Sequence, residues 1–171
     1  MRSILALLLI AVVATPCCFA AERFTSAKST PLKRLPHRED DGNGVRFAGS
    51  VKLSGQFLIV VKTAKPSDYG QITFYPDAAS AALLPHPTDE QPVTEIDFTN
   101  RAQAAAMLRE LVTAEKPLPR GEAGSTGAAT VTIRNFRTEV ACDHRYYLAE
   151  LVSVVKDKQL VAALRDARPG C

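Results

Sequence analysis

TVTIRNFRTEVACDHRYYLAELVSVV, residues 130–155, is the stretch on which the fold turns. At its start Thr130, Val131, Thr132 and Ile133 crowd β-branched side chains together, which suits a pleated strand far better than a helix. Val131 and Ile133 share one face. Tyr146–Val155 is equally rich in aromatic and branched residues, and both of its faces are largely apolar, which predicts a central strand covered on two sides. Arg137–Arg145, polar at both ends, is read as a loop wider than a tight turn that joins the two strands into a hairpin.

Downstream, Leu160, Val161, Ala163 and Leu164 recur at helical spacing within Lys156–Arg168, and Pro169-Gly170 supplies the stop before the final Cys171. Upstream, Met1–Ala20 has one early arginine, an apolar run from Ile4 to Val13 and the small-x-small pattern Cys18-Phe19-Ala20. That pattern predicts a secretory leader, and hence a periplasmic or secreted chain with no stable membrane anchor after cleavage. Cys17 and Cys18 would leave with the leader. Cys142 and Cys171 then remain in an oxidising compartment, where a disulfide between them is expected. It would close a loop of roughly 30 residues and contribute about 3–4 kcal/mol in the chain-entropy model.

Residues 21–44 mix prolines with charges of both signs and show no hydrophobic period, so they are expected to form a disordered arm ahead of one domain over 45–171. Val51, Leu53, Phe57, Ile59 and Val61 then alternate with polar neighbours through a long strand broken only by Gly55. A glycine there suggests a bulge or sharp bend that lets one strand pair at both edges. Lys65–Gly70 carries turn chemistry. Gln71–Tyr75 reads as a strand, Asp77 as the cap of a short helix reaching Leu84, and Val93–Phe98 as a second short strand. Asn100 opens the clearest helix, through Ala114, with Gln103 at the capping-box position and an apolar stripe of Ala104, Met107, Leu108, Leu111 and Val112. Lys116–Gly127, with its prolines and glycines, reads as a mobile loop.

Four of these segments, Lys52–Phe57, Glu95–Phe98, Val131–Phe136 and Tyr147–Leu151, occur in an order that resembles a group of small secreted bacterial proteins whose domain is an OB-type barrel. The resemblance covers about Val45–Val155. It implies an α+β, β-rich fold: a small OB-like β-barrel of about five strands with two packed helices, to which the residues add the C-terminal disulfide. Where that group tends to carry a glycine this chain has Asn135, which also tolerates reversed φ. Its histidine-rich hairpin is here Asp143-His144-Arg145. The likeness brings a fold and no reaction.

The chemistry is sparse. His37, His86 and His144 are scattered and give no closed ligand set, so neither a metal nor another cofactor is expected. A formal charge of +3 is too mild for nucleic acid, and no nucleic-acid partner is expected. Ser125 lies in Gly124-Ser125-Thr126-Gly127, which lacks the strained nucleophile turn. Arg134, Arg137, Arg145 and Tyr146 collect around the hairpin and join cationic forks to an amphipathic ring, a mix enriched at recognition surfaces. The expectation is a non-enzymatic binding module for an envelope component or protein partner. The alternatives are a small envelope-acting hydrolase using His144 with Glu139 or Asp143, or an inhibitor of a secreted hydrolase.

Overall fold

The computed structural model describes residues 23–24, 30–38, 41–62, 69–118 and 122–155. The expected leader, the helix from Lys156, Cys171 and most of the Lys65–Gly70 turn lie outside them. The described elements are β1 (Lys33–Arg34), β2 (Val45–Ala48), β3 (Ser50–Lys62), β4 (Tyr69–Pro76), α1 (Ala78–Ala81), β5 (Ile96–Phe98), α2 (Arg101–Leu108), a 3-10 turn (Arg109–Leu111), β6 (Val112–Leu118), β7 (Glu122–Ala141) and β8 (His144–Val155).

All eight strands belong to one sheet, and its spine is the 20-residue β7. Along one edge β7 pairs with β3 from Glu122 to Arg134 and then with β2 at Arg137 and Thr138. Along the other it pairs with β6 from Glu122 to Gly127 and then with β8 from Thr130 to Ala141. A strand this long needs more than one neighbour on each side to satisfy its backbone. The sheet also returns on itself: β3 pairs with β4, β4 with β5, β5 runs parallel to β8, and β8 pairs with β7.

Gly55 marks the place where β3 acquires its second partner. Before it only β7 is paired; from Gly55 onward β4 joins the other edge. At the junction α1 stands in for the missing strand: the Ser54 amide donates to Ser80 Oγ at 2.8 Å and the Asp77 amide donates to the Ser54 carbonyl at 2.9 Å. Asp77 caps α1, as its sequence position suggests, by accepting the Ser80 amide at 2.7 Å.

A second irregularity sets the hairpin. Val131 and Ile133 point into the core, but so do Phe136 and Thr138, so the alternation along β7 changes phase at Asn135. Asn135 has φ 51°, and the register with β8 jumps between Arg134 and Arg137. This is a β-bulge, and asparagine is among the few side chains that accept that backbone cheaply. At its far end the hairpin closes through Cys142 and Asp143 alone, both at positive φ. The expected wide loop is thus a two-residue turn, because positive φ at both central positions matches the twist of the flanking strands.

The core is formed by the inward faces of β2 to β5, β7 and β8 with α2 laid over β4 and β8. Ala104, Ala105 and Leu108 are the buried face of α2. Asn100 precedes the helix as predicted but caps nothing with its side chain. Its carboxamide instead accepts the Leu151 amide at 3.0 Å and donates to the Leu151 carbonyl at 2.9 Å, imitating one rung of a ladder. Asn100→Ala should therefore cost about 2 kcal/mol, the penalty for orphaning backbone groups at a buried position. A fall in the urea midpoint at unchanged slope would report it.

Several expectations are corrected. The five-stranded OB-like barrel with two packed helices gives way to an eight-stranded sheet in which α2 is the one helix longer than a single turn among the described residues. No disulfide is formed there: Cys142 is a free, exposed thiol at the hairpin tip, turned to solvent by the turn it helps to make. The strand buried on both faces is the middle of β7, residues 127–131, whereas β8 keeps one face open with Val152 and Val155 exposed. Of the segment read as a mobile loop, the described residues 116–118 and 122–127 belong to the β6–β7 pairing, since Gly124 and Gly127 provide the room for close neighbours that a side chain would occupy. Within the segment read as an arm, Leu32 is buried, β1 pairs with β2, and Phe24 bridges to Pro87 and packs edge-on against Phe47 at 5.5 Å. Those few apolar residues outweigh the polar composition around them.

Candidate binding surface

The bulge at Asn135 decides which hairpin side chains share a face. Arg134 lies opposite Glu150, Arg137 opposite Leu148, and Glu139 opposite Tyr146, all on the outer face of the β7–β8 pair. Arg134, Arg137 and Tyr146 are therefore brought together. Arg145 is not, because it pairs with Val140 on the opposite face.

Each arginine meets a carboxylate. Arg134 Nε donates to Glu150 Oε2 at 2.9 Å and Arg137 Nε to Glu139 Oε1 at 3.0 Å, both at exposed positions where an ion pair contributes at most about 1 kcal/mol. Hydrogen bonds from Asn135 and Arg134 hold the Glu150 carboxyl below the ordinary glutamate range. Arg145, with a side chain only 11% exposed, donates to Glu90 Oε1 at 2.9 Å and to Thr138 Oγ1 at 3.4 Å, and its guanidinium lies 5.8 Å from the centre of the Phe24 ring. It pins Phe24 and the 84–95 connection to the sheet end and is spent as a recognition group.

The open part of the surface is the ring pair at the tip. Tyr146 is 41% exposed and meets His144 edge-on at 4.7 Å. Tyr147 faces the other way, stacked on Phe136 at 6.0 Å with its hydroxyl 3.3 Å from Glu90 Oε2. Tyr75, remote from the hairpin, has its phenol pushed up by burial and by the nearby Glu95 and Asp97. Glu139 is engaged by Arg137 and Asp143 occupies the turn, so the three groups weighed for acid and base work are not joined by any hydrogen bond among the described residues. Nor do the described residues bring three or more His, Cys, Asp or Glu together as metal ligands.

Beside Arg137 the β2–β7 edge opens into a groove of about 300 Å³ lined by Asp41, Gly44, Arg46, Arg137, Thr138 and Glu139. Sequence reasoning missed Asp41 and Arg46, because both fall where the chain looked like arm or its border. Arg46 alternating between Val45 and Phe47 was the available signal. No family model matches this chain, and no curated protein or solved structure matches it.

Proposed function

We propose that this chain is a non-enzymatic binding module of the periplasm or the extracellular space, which presents the outer face of the β7–β8 hairpin to an acidic envelope component. The observation that carries this reading is the exposed Tyr146, held beside His144 and on one face with Arg134 and Arg137 by a hairpin whose two-residue turn leaves little freedom. Rigid aromatic area next to arginine is what recognition surfaces use, because the ring binds at little cost in side-chain freedom and the guanidinium presents a pre-organised planar fork. A secretory leader supports the compartment.

Co-sedimentation with purified cell-wall sacculi, whose peptides carry free carboxylates, tests the proposal. The wild-type chain should pellet, and Tyr146→Ala and Arg137→Ala should each weaken binding about 10-fold, in line with hot-spot truncations near 1.4 kcal/mol. Binding should also weaken as salt rises, since the arginines are exposed. Equal pelleting of both variants and the wild type would sink the reading. Arg145→Ala is not a useful probe of it, because that side chain holds Glu90 and Phe24 in place.

A further inference from the structure

Arg46 and Arg137 are direct partners in the antiparallel β2–β7 ladder, so two guanidiniums leave the same face of the sheet opposite one another. Like charges in that relation repel. Each has recruited one carboxylate, and each recruits it at Nε: Arg46 Nε lies 2.6 Å from Asp41 Oδ1, and Arg137 Nε donates to Glu139 Oε1 at 3.0 Å. Asp41 is well buried and already committed. Its Oδ2 accepts the Arg38 amide at 2.8 Å, and its carbonyl accepts the Gly44 amide at 2.8 Å. The tight loop this makes is pressed against β7, where a Cβ on Gly44 would overlap the Thr138 carbonyl oxygen.

Arg46 is left only partly satisfied. Its Nη2 is buried and has no hydrogen-bond partner among the described residues, and its Nε, although close to Asp41, is not aligned to donate to it. The side chain as a whole is 28% exposed and ion-paired with Asp41, so the cost is confined to these inner donors, and natural proteins keep such donors where something else completes them. The side chain lines the 300 Å³ groove, with Arg137 on the other wall. Asp41 and Glu139 engage the two guanidiniums at Nε, so what a groove ligand would add is acceptors for the donors of the forks that these carboxylates leave over. A water molecule could meet one such donor, whereas an anion with two or more oxygens could bridge the two forks.

We propose that the groove is a subsite for a small oxyanion, a carboxylate or phosphate group, clasped between Arg46 and Arg137. The paired planar forks fit either group in two-pronged fashion. The subsite deepens the binding function proposed above and rests on it for its setting at the hairpin's base, since it supplies the part of that surface that would hold the charged end of an envelope component. A carboxylate could come from a peptide or acidic sugar and a phosphate from a polymer or lipid headgroup.

The test uses the whole mature chain in isothermal titration at pH 7 and fixed ionic strength, with succinate and inorganic phosphate as probes and chloride as the control. Saturable binding of at least one probe is expected, with the dissociation constant raised about 10-fold or more in Arg137→Gln and in Arg46→Lys, which keeps the charge and loses the fork. Succinate alone binding assigns a carboxylate source, and phosphate alone a phosphate source. If Arg46→Lys does not fold, the partly exposed Arg137→Gln carries the comparison. The inference is overturned if neither probe binds more tightly than chloride, or if Arg137→Gln binds like the wild type. Retention on sacculi without anion binding removes the subsite and leaves the surface; anion binding without retention on sacculi does the reverse.

Discussion

Gly55→Ala should destabilise the fold by about 3 kcal/mol, near the top of the range for overpacking. The reason is the position, not the size of a methyl group. Gly55 pairs with Ala129 on one side and Pro76 on the other, and a Cβ built on it would overlap the Tyr75 carbonyl oxygen and approach Pro76 Cα to 2.9 Å. Both obstacles are backbone. A flexible side chain could swing aside, whereas here β4 must move as a unit and loosen its ladder with β3. Against a total stability of roughly 5–15 kcal/mol, such a loss is large. It should lower the urea midpoint by about 1–2 M. A midpoint within about 0.2 M of the wild type, well inside the effect that slope implies, would mean that β3 does not turn between two partners at this residue.

That corner was legible because a single glycine interrupts an otherwise regular period of two from Val51 to Val61. The alternation fixes the strand, and a small residue inside it marks close approach by another backbone. β3 gains its second partner at Gly55, but no bulge marks the residue: β3 and β7 pair continuously through it, and the irregularity with β4 falls between Ile59 and Val61. β6 was illegible for a related reason. Val112 extends the stripe of α2 and Pro117 suggests a break, so local signals favour helix end and loop. β7 follows directly in the chain and pairs Leu118 with Glu122 and Val112 with Gly127, but Val112–Leu118 carries no clear apolar alternation of its own to announce the strand.

The site divides in the same way. Arg134, Arg137, Arg145 and Tyr146 are close along the chain, and that proximity alone groups them as one cluster. In a hairpin the face depends on parity, and a bulge reverses parity at one residue. Had the phase change between Ile133 and Phe136 been taken literally, Arg134 and Arg137 would have fallen together, as they do. Arg145 beside the inward Tyr147 would have fallen with the core. The Cys142–Cys171 pairing failed on a different ground. An even cysteine count in an oxidising compartment says that two thiols could pair, but pairing needs a partner at disulfide distance, and Cys142 is a free, exposed thiol in the turn.

Phe136→Ala is the second change with a large expected effect, and it tests the bulge directly. Without the phase change at Asn135, Phe136 would stand on the outer face beside Arg134, and its truncation would cost little. With it, the ring is fully buried, 5.7 Å from Phe47 and stacked at 6.0 Å on Tyr147, joining the first strands to the hairpin. Removing it leaves a cavity between residues that β2, β7 and β8 hold apart, so the site cannot collapse easily, and a loss of about 3–5 kcal/mol is expected. Phe136→Leu, which refills most of the space, should cost about 1 kcal/mol. Tyr147 would also lose its stacking partner, so its near-ultraviolet circular dichroism should weaken in the alanine variant while far-ultraviolet strand signal persists below the melting temperature. A cost near 1 kcal/mol for the alanine itself would place the ring at the surface. It would then undo the assignment of Arg134, Arg137 and Tyr146 to a common face.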